Sequence, residues 1–362
     1  MQMKKLKIVV FVPSLGRGGA EQSILRLTKN FIKKGHEVFL ISAKKVSNEQ
    51  SIPDNIEVQY LNKKRTLFSL SIFKKRLINI QPDIVLSTLP TSNFLNTLIS
   101  KSKKLKYRAY IREANTNCIL WNKSLSGWIV GILSRYAFRN AAGIIYISRE
   151  LKEITTQAVG NPVNNSVTIY NPIITEDFLE KSNQKIDHPS YDPEKEIWVI
   201  GSRLEKQKGI DLLIDAVKKF NESRDLVLYI LGSGAEKSRL EKKSKGLPIV
   251  YLDYIENPLP WYKAADLFFL PSYREGLGNS LIEAQILGTT SIASGCPSGP
   301  KEIISLFNNG VNFITGDLED LISKIQSINV ATNKKIDTNK SIYFDEVEIS
   351  NKYLDFFTSS NK

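Results

Sequence analysis

The sequence predicts an α/β protein built from two Rossmann-like, doubly wound parallel-sheet domains, and three observations predict it. Short apolar runs alternate with segments of helical periodicity through the first half. The same alternation restarts after a polar, proline-bearing stretch, "KSNQKIDHPSYDPEKE" (Lys181–Glu196). Polar or glycine-rich turns follow most of the apolar runs, as they do where ligands bind beyond the carboxyl ends of parallel strands. Strand and helix in repetition give a parallel sheet with helices on both faces. At 362 residues the chain suits two cores better than one.

Taken in order, "KIVVFV" (Lys7–Val12) reads as a buried strand, followed by a glycine-rich turn. In the next segment, "AEQSILRLTKNFIKKG", Ile24, Leu25, Leu27 and Phe31 fall on one helical face. Further strands are expected at His36–Ser42, Asp83–Thr88, Tyr107–Glu113 and Gly143–Ser148. In the second half "IWVIGS", "LVLYILGSG", "PIVYLDY", "DLFFLPS" and "SIASG" read as strands, with "GIDLLIDAVKKF" and "SLIEAQILG" as helices between them. This division puts one domain at 1–175, a second at 176–340, and a final helix at 341–362 that folds back onto the first. The two sheets are expected to face each other across a central cleft.

Composition removes several function classes. Hydrophobic content of 42% and charged content of 24% are those of a soluble globular protein. Two cysteines far apart in sequence, Cys118 and Cys296, give no disulfide framework and fit a reducing cytoplasm. With only His36 and His188 there is no material for a multi-histidine metal site or a serine–histidine relay. No apolar run approaches the ~18 residues of a membrane span. Basic residues precede Ile8–Val12 as in a signal peptide, but that run is too short for a signal core and reads as a strand.

The net charge of +13 is unevenly spread: 27 lysines and arginines stand against 9 acidic residues over 1–175, and 23 against 28 over 176–362. So basic a half implies an anionic partner surface, nucleic acid or phospholipid. "KKRTLFSLSIFKKR" (Lys63–Arg76) mixes six cations with Leu67, Phe68, Leu70, Ile72 and Phe73. "WNKSLSGWIVGILSRYAFR" (Trp121–Arg139) sets Leu125, Trp128, Ile129, Ile132, Leu133 and Tyr136 at helical spacing beside Lys123, Arg135 and Arg139. An interfacial helix on anionic lipid has this pattern, and so does a core-packed helix with a solvated edge.

Three segments carry candidate chemistry. In "PSLGRGGAEQS" (Pro13–Ser23), Gly16, Gly18 and Gly19 let the backbone approach a ligand, with helix amides aimed at an anion. A dinucleotide fingerprint would need a third glycine where Glu21 stands, and an acidic residue where Ser42, Ala43 and Lys44 stand. No P-loop motif is present. In "IGSRLEKQKGIDLLIDA", Arg203 and Lys208 lie between a strand and a helix, a planar fork and a mobile point charge able to grip a diphosphate. In "SYREGLGNSLIEA", Glu275 and Glu283 are separated by seven residues. They could form a clamp on a sugar nucleotide or an acid–base pair. Ser280 and Glu283 also have the spacing of a capping box for a helix starting near Ser280.

The ordered set of "GGAE" (Gly18–Glu21), "SRLEKQKG" (Ser202–Gly209) and the Glu275–Glu283 spacing resembles the glycosyltransferases of family 4, with the GT-B fold, over essentially the whole chain. "ASGCPSGPKEII" (Ala293–Ile304) is similar to the subgroup that extends lipid-linked oligosaccharides and bacterial surface polysaccharides, O-antigen among them. The resemblance implies a retaining, metal-independent transferase moving a hexose or N-acetylhexosamine from a UDP-sugar to an acceptor such as an undecaprenyl diphosphate glycan. The first domain would bind the acceptor and the second the nucleotide sugar. Arg203 and Lys208 would hold the donor diphosphate, in the same loop as Ser202, while Glu275 holds sugar hydroxyls and Glu283 the ribose. The amides of Gly278, Asn279 and Ser280 would lie near the phosphates or ribose, the base beside Tyr254 and Ile255, and Gly18 and Gly19 opposite, on the first domain. No resident cofactor or metal is implied, and no D-x-D motif is found. The chain is expected in the cytoplasm, held peripherally on the inner face of the membrane through its basic first domain. Where many relatives carry a histidine near the sugar, this sequence has "IREAN", so Arg112, Glu113 and Asn115 occupy that place with no role assigned. The rival readings are a nucleotide-sugar epimerase of the same fold and a basic nucleic-acid-binding protein; for the latter no stacking platform or known module is found.

Overall fold

The structure is a computed structural model that describes residues 4–16, 18–47, 51–114, 125–159, 165–328 and 336–359. The chain falls into two compact units, Met1–Pro172 with Tyr343–Lys362, and Ile173–Ile342.

The first unit holds a seven-stranded sheet of β1 (Lys7–Val12), β2 (Glu37–Ser42), β3 (Val58–Tyr60), β4 (Ile84–Thr88), β5 (Arg108–Glu113), β6 (Gly143–Tyr146) and β7 (Ser166–Thr168), in the order β3-β2-β1-β4-β5-β6-β7. The second holds β8 (Glu196–Gly201), β9 (Leu226–Leu231), β10 (Ile249–Tyr251), β11 (Leu267–Leu270), β12 (Thr290–Ser294) and β13 (Gly310–Phe313), in the order β10-β9-β8-β11-β12-β13. Among the described residues every strand pairing is parallel. Every strand the sequence predicts is present. The three it does not predict, β3, β7 and β13, all lie at sheet edges, span three or four residues and are mostly half-buried. Unlike the equally short β10 (Ile249–Tyr251), they lack a continuous apolar run to mark them.

Strand alternation sorts each strand between two cores. Ile8, Val10 and Val12 of β1 pack with Ile24, Leu27 and Phe31 of the helix Gly19–Lys33. Val9 and Phe11 face the other side, where Phe11 stacks on Phe73 of the helix Leu70–Ile80 at 3.8 Å between ring centroids. Phe73 is therefore a core residue, not part of an interfacial surface. The helix Glu346–Ser359 packs in the first unit, where Tyr353 and Phe357 meet Phe31, and Phe357 lies 4.7 Å from Tyr110. In the second unit fully buried Trp198 of β8 meets Phe269 and Phe220 at 4.9 and 5.9 Å, joining the sheet to the helix Ile210–Phe220.

His36 caps the entry to β2. Its Nδ1 accepts from the amide of Leu6 at 3.2 Å, which requires the unprotonated ring, and its Nε2 is buried with no partner among the described residues. Burial, and secondly the Lys34 ammonium, hold its pKa below the ordinary histidine value of 6.5. The unfolded chain thus binds a proton more readily than the folded one. Stability should be complete above about pH 6.5 and fall as the pH drops below it toward the folded-state pKa. Urea midpoints measured from about pH 8 to about pH 5 are expected to fall less steeply in His36→Gln than in the parent.

Candidate active site

In the second unit the strand order reverses direction between β8 and β11, the kind of switch point where open parallel sheets bind ligands. The segments leaving these two strands are Ser202–Gly209 and Pro271–Gly278, and they are sewn together. The amide of Tyr273 donates to the Gln207 carbonyl at 2.8 Å, Gln207 Nε2 donates to the Arg274 carbonyl at 2.8 Å, and Lys208 Nζ meets Glu275 Oε1 at 2.6 Å. Gly209 closes the first segment at φ +64°, where a Cβ would strike the Pro271 carbonyl. Both members of the ion pair are shielded, with 13% and 9% of their side chains exposed. Ser272 Oγ donates a second bond to Glu275 Oε1, at 2.7 Å. The carboxylate oxygen Oε1 is thus doubly engaged, and Oε2 is the oxygen left to meet a ligand.

Two predicted cations, Lys208 and Arg203, differ in placement. Lys208 is held by Glu275, while Arg203 is 59% exposed and pairs with Glu205 at 3.0 Å. Ser202 is fixed through its backbone: its amide donates to the Leu231 carbonyl at 2.9 Å. Gly232, at φ +141°, lies so close to the Ser202 carbonyl that no side chain fits there. Tyr254 and Ile255 stand on a separate loop after β10. Tyr254 is 40% exposed, and Ile255 lines a cavity of about 260 Å³ with Lys185, His188, Asn257 and Trp261.

The helix bearing Glu283 corrects one expectation. It spans Asn279–Ile286, with Gly278 at its N-cap in the left-handed region (φ +83°, ψ +65°) and no side-chain cap. Asn279 is its first residue and Ser280 its second, so Ser280 cannot serve as the N-cap and no capping box forms. The reason is the turn: only a residue tolerant of positive φ turns the chain sharply enough there, and glycine does so without strain. Glu283 is half-buried and sits beside Tyr262. Burial first, and the Glu283 carboxylate second, push the Tyr262 phenol well above its ordinary value. The Tyr262 ring lies so tightly over Gly201, the last residue of β8, that a Cβ at Gly201 would overlap it. Gln207 and Tyr262 pack into this candidate site, and sequence reading passes over them. Gln207 stands inside the motif already singled out, between Arg203 and Lys208.

In the first unit Gly18 is the N-cap of the helix Gly19–Lys33, and its φ of −128° is ordinary. A Cβ on Gly18 would lie 2.4 Å from the Glu21 carboxylate, which folds back over the helix start and, ending a flexible side chain, could swing aside. Gly19 opens the helix, and its carbonyl accepts from Ser23 Oγ. At the end of β5 Arg112 is fully buried. Its guanidinium donates to Thr88 Oγ1 at 3.2 Å and Asn171 Oδ1 at 2.5 Å, and its Nε has no acceptor among the described residues. Glu113 is also buried, beside Tyr146. Asn115 lies outside the described residues.

Comparison with known proteins follows this geometry. The model of Glycosyltransferase Family 4 matches residues 17–177, and that of Glycosyl transferases group 1 matches residues 194–329, together most of the chain. The capsular polysaccharide biosynthesis glycosyltransferase CapM of Staphylococcus aureus is 25% identical over 82% of this chain and 81% of its own. The N,N'-diacetylbacillosaminyl-diphospho-undecaprenol alpha-1,3-N-acetylgalactosaminyltransferase of Campylobacter jejuni is 25% identical over 78% of each. An uncharacterized glycosyltransferase of Methanocaldococcus jannaschii is 28% identical over 67% of this chain, which spans 61% of that protein's length. Among solved structures, HepE of Anabaena in complex with UDP-glucose superposes with a TM-score of 0.76 at 16% identity, over 98% of this chain and all of its own.

Removing one partner of the Lys208–Glu275 pair strands a shielded charge. Lys208→Met and Glu275→Gln should each lower unfolding stability by about 2–3 kcal/mol in urea titrations. The double variant should lose less than the sum of the two, by about 1 kcal/mol or more.

Proposed function

The chain belongs to the family 4 glycosyltransferases, and we propose that it moves a hexose or N-acetylhexosamine from a UDP-sugar to a lipid-linked glycan in surface polysaccharide or oligosaccharide biosynthesis. The observation that carries this reading is the Lys208–Glu275 pair at the switch point of the second sheet. It sets an ammonium for the diphosphate beside a carboxylate whose Oε2 can accept from sugar hydroxyls. Arg203, on the same loop and exposed, would leave Glu205 to meet the second phosphate. Glu283 on the first turns of its helix would accept from the ribose, and the amides of Gly278, Asn279 and Ser280 open that helix toward an anion.

The bond broken is that between the anomeric carbon and the oxygen of the terminal donor phosphate; the bond formed joins that carbon to the acceptor hydroxyl oxygen. For retention the acceptor would enter on the face the diphosphate leaves, and the departing phosphate oxygen would take the hydroxyl proton. Lys208 and Arg203 would stabilise the charge that accumulates on that phosphate, the largest contribution a fixed set of cations makes. Arg112, fully buried among neutral partners, would act on none of these atoms.

A lipid-linked acceptor is supported by the name of the Campylobacter relative, which acts on a diphospho-undecaprenol. The first unit also offers a surface for anionic lipid. On the helix Leu125–Asn140, one face carries buried Ala137 and Phe138, and Tyr136 meets Phe94 edge-on. The other exposes Trp128, Ile129 and Ile132 at 62%, 45% and 42%, with Arg135 and Arg139 exposed beyond them. Phe68, 64% exposed, stands between the cations Lys63–Arg65 and Lys74–Arg76. Apolar tips ringed by cations suit a headgroup interface. The enzyme would then work peripherally on the inner face of the cell membrane; no described helix is long and apolar enough to cross it.

Melting temperatures of the protein with UDP, GDP, ADP and NAD test the donor. UDP at about 100 times its Kd should raise the melting point by several degrees, and Glu283→Ala and Arg203→Ala should abolish the rise. A shift with GDP or ADP instead would replace the donor; none with any nucleotide would sink the reading. In a separate assay, vesicles containing phosphatidylglycerol should sediment the protein in moderate salt. Trp128→Ser/Ile129→Ser/Ile132→Ser should reduce sedimentation about tenfold or more, whereas equal sedimentation of variant and parent would remove this helix from the membrane contact.

A further inference from the structure

Around the segment that carries Glu275, three alternate carbonyls are each claimed by a side chain from a neighbouring segment. Ser294 Oγ donates to the carbonyl of Ser272, Gln207 Nε2 to that of Arg274 at 2.8 Å, and Ser298 Oγ to that of Gly276 at 2.7 Å. Ser294 and Ser298 belong to the segment leaving β12, "SGCPSGP", which none of the roles assigned above employs. Of these three donors Ser298 is the unusual one. It is fully buried and sits at φ +74°, a left-handed conformation that a residue with a side chain adopts against steric preference. Next to it Gly299, at φ +106°, wedges against the same segment: a Cβ there would lie 2.6 Å from Leu277 Cα and 2.9 Å from the Gly276 carbonyl. Pro300 then opens the helix Pro300–Phe307, so the turn has little freedom to relax.

Glycine would satisfy a turn that needed only positive φ, as it does at the following position. Serine in a strained, buried conformation implies that the position uses what glycine lacks, the hydroxyl. That hydroxyl ends on the carbonyl of the residue immediately after Glu275. Backbone strain held in place by its surroundings beside a site is the pattern expected of preorganisation.

We propose that Ser298 is a positioning residue for the donor site, fixing the Glu275–Gly278 segment so that the Glu275 carboxylate and the amides opening the Asn279–Ile286 helix meet the nucleoside diphosphate sugar already in place. This rests on the reading of that segment as the donor site. Ser298 touches no reacting atom; it acts through the Gly276 carbonyl.

Ser298→Gly and Ser298→Ala separate this role from a purely structural one. Glycine relieves the backbone and removes the hydroxyl, so it should leave the melting temperature of the free protein at or near that of the parent. Titration calorimetry with UDP, GDP and ADP on parent and variants reads the site. For the nucleotide the parent binds, affinity should fall about tenfold in Ser298→Gly, roughly the worth of one lost buried hydrogen bond, and similarly in Ser298→Ala. A parent that binds, with Ser298→Gly binding equally well, overturns the proposal and leaves the donor reading standing. A parent that binds none of the three nucleotides overturns the donor reading, and the proposal with it. If Ser298→Ala fails to fold, Ser298→Gly alone decides, because its backbone is the better suited to the turn.

Discussion

Parallel pairing is the constraint on which the rest of the structure depends. In a sheet whose strands all point one way, every loop that leaves a strand at its carboxyl end emerges at the same edge, and neighbouring strands deliver their loops side by side. Because β8 and β11 pair directly, Lys208 and Glu275 meet although 67 residues separate them. The first unit repeats the arrangement with β1 and β4. There the glycine turn before the helix Gly19–Lys33 follows one strand, and Leu89, at φ +71° before Pro90, follows the other. In both units the chain departs from ordinary backbone where strand order reverses, and the regular parts of each sheet hold those departures in place.

Loops at such an edge have no ladder to satisfy their backbone, and side chains supply what the ladder would. The backbone carbonyls of the segment after β11 accept bonds from Gln207, Ser294 and Ser298. A shielded ion pair adds little net stability, since the desolvation of two charges offsets most of their attraction. Its value lies in specificity of arrangement: Lys208 has one low-energy partner and Glu275 has one oxygen left over. A segment held this way has little freedom to rearrange.

Arg112 shows how the same edge can be given to structure instead of chemistry. Its guanidinium is buried between Thr88 at the end of β4 and Asn171 after β7, so it ties together strands on either side of β5. Tyr353 of the C-terminal helix lies against it, its phenol raised by burial and drawn back by the Arg112 charge. A histidine reaching toward a sugar would occupy such a position quite differently. Its interior placement makes Arg112 a cross-brace of the first unit.

The sequence by itself determined the doubly wound architecture, because the apolar runs of β1, β4, β5, β6, β8, β9 and β11 are mostly buried on both faces and read as strands without help from their neighbours. It also determined which loops carry cations and carboxylates, since Arg203, Lys208, Glu275 and Glu283 lie in motifs whose spacing survives without coordinates. The edge strands β3, β7 and β13 were beyond it, lacking a continuous apolar run and held by pairing instead of periodicity. Tertiary structure alone decided that the helix after Gly278 begins before Ser280, because the left-handed turn is imposed by the loop it closes. It alone paired Lys208 with Glu275, exposed Trp128 while burying Phe73, and set Ser298 on the Gly276 carbonyl. Those outcomes depend on which loop stands beside which, and that neighbourhood is fixed by the order of strands in the sheet, a property no local stretch of sequence contains.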